Sequence, residues 1–258
     1  MSSYLMREMA PFDEATWAKI DGMVVQVAKN VLVGRKFIPL VGPLGWGVEV
    51  APLFDFSTQN EAFIANETTA YLPLKELRQE FILRARQMAI AVQTPYGLDL
   101  GAVAIAATAL AKAEDQLIIN QLLDQALVES PLGDWGQPGA PTKAIADATA
   151  KLLQGGCDAP YVLLVSPAMY ARLVSLMNYG TPEEEMVEGL VKGGIFQSTR
   201  MPDDRALVVS PAAWNMDLVV GQDVVTSYLG NAELDQRLRI FETVLLRIKR
   251  HAAICVLK

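Results

Sequence analysis

Apolar residues recur at steps of three and four between Asp13 and Gly34: Trp17, Ile20, Val24, Val27 and Val31 fall on one side of a helix. Asp13 is placed to cap its start, and Gly34 stands where a left-handed residue commonly ends a helix. The pattern changes at residues 71–86, "YLPLKELRQEFILRAR", where Phe81 and Leu83 alternate with charged neighbours as in a half-buried strand. The strongest helical stretch runs from Asp99 to about Glu129, ahead of Ser130-Pro131. At 1.5 Å per residue it predicts a spine of roughly 45 Å. Residues 48–70 are mixed and weakly alternating around Leu53, Phe54 and Phe56, which suggests an extended ribbon reaching out of the body.

Residues 134–141, "DWGQPGAP", read as a surface loop. Thr142 is then expected to cap a helix ending at Gly155-Gly156. "YVLLVS" (161–166) reads as a buried strand. Ser166-Pro167 opens a short helix through Met177, and Thr181-Pro182 repeats the device for "EEEMVEGLVKGG". From residue 195 onward the chain reads as β. The expected class is α+β, with a helical middle and a sheet-rich C-terminal part. Fourteen residues, "GRKFIPLVGPLGWG" (34–47), hold four glycines and two prolines. They leave a helix, whereas phosphate loops lead into one, so the pattern favours a tight turn over a nucleotide cradle.

Composition narrows the picture. Of 258 residues, 52% are hydrophobic and 20% charged, with a formal net charge of −7. The chain either encloses a large interior or buries much surface against partners. The acidic balance argues against a nucleic-acid groove. The densest basic run, Arg247, Lys249, Arg250 and His251, reads as the wet face of a strand. The longest apolar run, residues 100–111, is about half of what a bilayer span requires. The N-terminal stretch carries acids where a signal peptide needs an apolar core. A soluble intracellular protein is expected, with Cys157 and Cys255 as small buried thiols.

Candidate chemistry is sparse. One histidine, His251, excludes His-rich metal sites and leaves a single base for any nucleophile. Glu114 and Asp115 on the long helix read as a solvent face or as ion-pair partners. Glu183, Glu184 and Glu185 stand in the first turn of a helix, where the dipole favours acids. They are also able to line an opening. Trp46 and Trp135, each next to a glycine, read as packing over turns or as stacking surfaces.

The order of several stretches carries a resemblance: "MAPFDEATWAKID" (9–21), "GRKFIPLVGPLGW" (34–46), "YLPLKELRQEFIL" (71–83), "KAEDQLI" (112–118), "APYVLLVSPAMY" (159–170), "RALVVS" (205–210) and "MDLVVGQD" (216–223), followed by "LRIFETVLLRI". In these the chain resembles the shell proteins of encapsulin nanocompartments, the linocin-like family with the HK97 phage capsid fold. The resemblance implies a non-enzymatic shell of sixty copies in the cytoplasm, without cofactor, metal, nucleic acid or membrane. A phage or prophage capsid protein of the same fold is the alternative, but the stretch before Trp17 gives no scaffolding segment; a small soluble enzyme is more remote.

The resemblance also implies a division of the chain: an N-terminal helix and turn (1–47), an E-loop (48–70), a P-domain (71–184) with the spine helix 99–129, an A-domain (185–230) and return strands (231–258). In that family a cargo enzyme, commonly a peroxidase or a ferritin-like iron oxidase, docks through a C-terminal targeting peptide. Carried over, the peptide site would use Val24, Ala28, Val31, Leu32 and Arg35, with Ile248 and Ile254 from late strands. Pro39 stands where related sequences have an Asp, and Arg86 where flavin-binding members have a Trp, so no flavin is implied. The fivefold pore would fall at Asn178, Tyr179, Gly180, Thr181, Glu183, Glu184 and Glu185, with the three acids favouring cations.

Overall fold

The computed structural model describes residues 3–57 and 66–258. In chain order the elements begin with helix α1 (Glu14–Val31), strands β1 (Leu40–Val41), β2 (Val50–Ser57), β3 (Asn66–Pro73) and β4 (Lys75–Leu83), helix α2 (Ala85–Gln93) and helix α3 (Gly101–Asp124). They continue with β5 (Val128–Ser130), α4 (Ala140–Gln154), β6 (Val162–Val165), α5 (Pro167–Ser175), β7 (Met177–Asn178), β8 (Thr181–Pro182) and α6 (Glu183–Leu190). The last part holds β9 (Ile195–Gln197), β10 (Ala206–Val209), β11 (Met216–Val220), β12 (Val225–Ala232), β13 (Asp235–Ile248) and β14 (Ile254–Leu257). The α+β expectation holds.

Asp13 caps α1 as expected, its carboxylate accepting from the Thr16 N–H. The helix ends in an extended Leu32 rather than a left-handed Gly34. Gly34 is needed for a different reason: a Cβ there would lie 2.6 Å from Ile118 Cδ1 of α3. Further along the same stretch, Gly42 adopts φ +126°, and a Cβ on it would lie 2.2 Å from the Val220 carbonyl oxygen. Leu44 and Gly45 donate to Val220 and Gly221, so this segment runs tightly along the end of β11. Gly34 and Gly42 thus serve close approach, and Gly45, at φ +107°, serves the turn itself.

Two five-stranded sheets organise the molecule. The first has β13 at its centre: one edge pairs with β4 from Gln236 to Val244, and the other with β12 and then β11, with β1 parallel beyond β11. The second has the order β5-β14-β10-β6-β9. It runs across the positions 185 and 230 expected as boundaries: β6 precedes them, β9 and β10 fall between them and β14 follows, and all four pair in one sheet. Meanwhile β11 and β12, placed in the same expected domain, belong to the first sheet.

Helix α3 joins the two halves. Its N-terminal part, with Val103, Ala106, Ala107 and Leu110, packs with Trp17, Ile20 and Val24 of α1 and with Phe81, Leu83, Leu238 and Ile240. Its C-terminal part, with Ile118, Ile119 and Leu122, packs in the larger core under the second sheet. At 24 residues it is about 36 Å long. It stops at Asp124, short of the expected Glu129, because Val128–Ser130 leave to pair with β14. The expected strand 71–86 is two strands and the start of α2. Strand β4 alternates as foreseen, with Phe81 and Leu83 buried.

Strands β2 and β3 pair with each other from Val50↔Pro73 to Ser57↔Asn66. Ala51 anchors the base of this hairpin against Val219 and Leu245, and Arg247 donates to the Pro52 carbonyl. Residues 58–65 of the expected E-loop lie outside the described residues. Arg247 and Lys249 also hold the buried Asp217, so the basic run is partly built into the fold rather than a wholly wet face. No helix among the described residues is long and apolar enough to cross a membrane.

Candidate functional site

At the C-terminal end of α1 the chain turns so that Gly34–Lys36 form a single 3-10 turn over α3. The turn is fastened by Asp115: one carboxylate oxygen accepts from Val33 and Gly34 N–H, at 3.0 and 2.9 Å, and the other from Val33 at 3.0 Å. Beside it, Arg35 uses its whole guanidinium. Nε and Nη2 donate to Glu114, Nη2 also reaches Glu242 at 2.6 Å, and Nη1 reaches Asp223 at 2.7 Å. Glu114 and Glu242 have no exposed surface. Of the two readings of Glu114 and Asp115, the ion-pair partner holds for Glu114 and the solvent face for neither.

The electrostatics are unbalanced. Burial, followed by the neighbouring Glu114 charge, pushes Glu242 well above the ordinary carboxylate range, and Arg35 only partly offsets this. Oε1 of Glu242 is buried without a hydrogen-bond partner. Burial likewise pushes Asp115 up to about 6, against the lowering effect of the Gly34 and Val33 N–H groups. Burial disfavours the charge on Arg35, but Glu114 and Glu242 outweigh it and hold the guanidinium protonated. The network ties α1 and its turn to α3, to the Gly221–Asp223 loop and to β13. Gln222 N–H donates to Thr243 Oγ1 across the same junction. Four of the stretches noted in the sequence therefore meet here.

Against this junction lies a hollow of about 290 Å³, lined by Val25, Ala28, Lys29, Leu32, Arg35, Lys36, Asp223 and Val224. Of the expected peptide-site residues, Ala28, Leu32 and Arg35 line it, and Val31 packs beside Ala28, Leu32 and Ala111. Val24 does not; it is buried toward α3 and β4. Ile248 and Ile254 are buried in the larger core and present nothing to a ligand. Arg35 is committed to three carboxylates, so its role is to hold the floor. Val25, Lys29, Lys36 and Val224 also line the hollow and were not among the expected residues. The first two stand one position round the helix from Val24 and Ala28, on the side that the apolar periodicity assigns to solvent.

The expected pore residues divide in the same way. Asn178 and Thr181 pair across a short hairpin whose tip, Tyr179 and Gly180, has positive φ at both residues. Tyr179 is fully exposed. Glu183 is fully buried, contrary to the expectation that it faces an opening. Its carboxylate accepts from Gly139 N–H, Thr142 N–H and Thr142 Oγ1, capping α4, whose own N-cap is Gly139 rather than Thr142. Glu184 is half-buried and accepts from Tyr170 Oη. Glu185 alone of the three is exposed.

Other candidate chemistry resolves into packing. Trp135 is buried, its Nε1 donating to Leu132, and Trp46 packs between Tyr4 and Phe241. Cys157 and Cys255 are buried free thiols, and burial pushes Cys255 up to about 11, far from thiolate reactivity at neutral pH. His251 is exposed, with Nδ1 3.1 Å from the Gln125 carbonyl oxygen.

Comparison with known proteins agrees with this architecture. The family model described as "Encapsulating protein for peroxidase" matches residues 1–245. The type 1 encapsulin shell protein EncA of Myxococcus xanthus is 33% identical, the alignment covering 100% of this chain and 97% of the relative. A diheme-cytochrome-encapsulin shell fusion protein of Kuenenia stuttgartiensis is 31% identical over 94% of this chain and 72% of the relative. Among solved structures, a virus-like particle from Pyrococcus furiosus superposes with a TM-score of 0.82 at 20% identity, covering 94% of this chain and 99% of that one. With a family match over residues 1–245, a relative above 30% identity aligned over the whole of this chain and the HK97-like capsid fold, this chain belongs to the encapsulin shell-protein family.

Proposed function

We propose that this chain is the subunit of a self-assembling icosahedral shell of sixty copies that encloses a cargo enzyme in the cytoplasm. The match to the encapsulating family from residue 1 to residue 245 carries this reading. Exposed apolar residues support it: Tyr71 and Val50 on the β2–β3 hairpin are 66% and 47% exposed in the isolated subunit. Such surface suits burial against identical neighbours, where each contact recurs by symmetry. The β2–β3 hairpin, within residues 48–70, acts as the E-loop that joins subunits. The unit built on the second sheet acts as the A-domain, and the unit around α3 and β13 as the P-domain. The face of α1 looks inward and receives the cargo's C-terminal targeting peptide. The hairpin at residues 178–181, with Glu184 and Glu185, lines the fivefold opening. The cargo is a peroxidase or a ferritin-like iron oxidase.

Size-exclusion chromatography with negative-stain electron microscopy tests assembly. Sixty copies of a 28.1 kDa chain give hollow spheres of about 1.7 MDa. A monomer or dimer as the dominant species would overturn the shell reading.

A further inference from the structure

Strands β11 and β13 place Asp217 directly opposite Arg247. Side chains alternate along a strand, and Met216, Leu218, Leu246 and Ile248 fill the larger core. Asp217 and Arg247 therefore stand on the other face of the sheet, the one that Ala51 of the β2–β3 hairpin covers at Val219 and Leu245. Beside the base of the hairpin this face forms a hollow of about 510 Å³. Its walls include Phe54 from β2, Trp214 from the loop before β11, and Arg247, Lys249 and Arg250 from the end of β13 and just beyond. Small-ligand sites are commonly of this size, roughly 300–1,000 Å³.

The charges around the hollow are fixed in place and do not cancel. Arg247 grips Asp217 through Nε and Nη2 and donates from Nη1 to the Pro52 carbonyl. Lys249 pairs with the same Asp217 and donates to the Ala213 carbonyl. Arg250 reaches neutral oxygens alone, the Gly155 and Gly156 carbonyls and Asn215 Oδ1. Three cations thus share one carboxylate, and no other acid pairs with them among the described residues. Asp158, whose charge like that of Arg250 is felt at the Cys157 thiol, is exposed and makes no ion pair with Arg250. An excess of two positive charges is therefore concentrated here, in a chain whose net charge is −7. Each cation is held from behind by protein acceptors and keeps further N–H donors, so binding an anion costs little additional ordering.

Aromatic surface completes the hollow. Trp214 is 68% exposed, although the next residue, Asn215, is wholly buried and bonded to Ser210. Phe54 is exposed as well. Broad rings left in water beside fixed cations suit a ligand that is flat and apolar at one end and anionic at the other.

We infer that this hollow binds a small dianion carried on a flat aromatic body, by class an aromatic phosphate monoester. Two surplus cations match the two charges that a phosphate monoester carries near neutral pH, and a carboxylate supplies one. Guanidinium forks also match phosphate oxygens in geometry. The rings of Trp214 and Phe54 receive the aromatic body. The site lies on the sheet face turned away from α1 and α3, so it goes beyond the shell and cargo reading and does not depend on it.

Isothermal titration calorimetry of purified particles near neutral pH tests this, with phenyl phosphate as the probe. It should bind once per subunit, at least tenfold tighter than inorganic phosphate, benzoate or phenol. Trp214→Ala should weaken binding at least fivefold, and Trp214→Phe should keep it within twofold of wild type. Lys249→Gln should weaken phenyl phosphate at least fivefold and leave phenol unchanged. Because Lys249 also holds Asp217, the unfolding midpoint is read alongside; Arg250→Gln, which does not touch Asp217, replaces it where the midpoint drops.

Phenol, benzoate or inorganic phosphate binding as tightly as phenyl phosphate overturns the inference, as does the absence of saturable heat. So does an unchanged affinity in Trp214→Ala or in the charge variants. Binding to unassembled Tyr71→Glu subunits with none to particles would give the hollow to a neighbouring copy, and overturns it likewise. If the wild-type chain forms no particles, the shell reading falls and the same titrations on the monomer still decide this one.

Discussion

Arg35 is one cation among three carboxylates, two of them wholly buried, and in that dry pair the charges do not balance while both are ionised. Removing the guanidinium strands Glu114 and Glu242; Arg35→Ala should cost about 3–5 kcal/mol, measured by urea unfolding of the purified protein. The acid–base consequence has a definite sign. Glu242 in the fold sits above its ordinary value of 4.5, so the folded state holds a proton that the unfolded chain releases first. Stability therefore falls as pH rises from about 4.5 through the folded value. Asp115 acts in the same direction between 3.8 and about 6. Glu242→Gln keeps a donor toward Glu114 without a titrating proton. It should raise stability at pH 7.5 by about 1.4 kcal/mol for each unit of displacement it removes, and flatten the pH profile of the thermal midpoint. A variant that loses stability at pH 7.5 and keeps the wild-type slope would contradict this account. Along the chain only the ion-pair reading of Glu114 was legible, without its partner. Arg35 is 79 residues from Glu114, 188 from Asp223 and 207 from Glu242. Local spacing identifies Glu114 and Asp115 as a pair of acids and says nothing of what folds onto them.

Among the elements, the legible ones were those whose pattern is local. Helix α1 was plain from Trp17, Ile20 and Val24, and Ser166 announced α5 by its cap. The C-terminal limit of α3 and the existence of α2 were not, because partners remote in sequence decide them: β14 draws Val128–Ser130 out of the helical run, and Asp235 accepts from the Ala85 N–H as α2 begins. Glu183 makes the same point. In sequence it is one of three equivalent acids, yet α4 begins at a glycine without a side-chain acceptor, and Glu183 supplies one from α6. Glu183→Ala should lower stability by about 1–2 kcal/mol, read from the unfolding midpoint. Glu183→Gln should leave cation entry into assembled particles unchanged, while Glu185→Gln should slow it if the 178–185 segment lines the opening. Stopped-flow uptake of a metal-sensitive dye enclosed in the shell separates the two.

For the whole molecule, the resemblance carried the fold correctly, while the pairing of strands runs across the chain positions expected as boundaries. The second sheet gathers strands from three expected domains, and its order follows hydrogen bonding that no single segment encodes. The surface left exposed leads to a prediction at this scale. Tyr71→Glu puts a charge on the hairpin without touching either core. The subunit should keep its circular dichroism but elute at low mass; particles in wild-type yield would show that the hairpin does not join subunits.

The long central strand has a mechanical consequence. Fourteen residues of β13 receive β4 along one edge and β12 and β11 in turn along the other. A tensile load entering through the β2–β3 hairpin and β4 would run parallel to this ladder. Its hydrogen bonds would then be strained together in shear, not peeled one at a time. The wall of a container needs that property, since stretching forces in a curved sheet lie in its plane. Strand β13 would then be the tie-rod of each plate, and nanoindentation should find the plates stiff and yielding first at the seams between them.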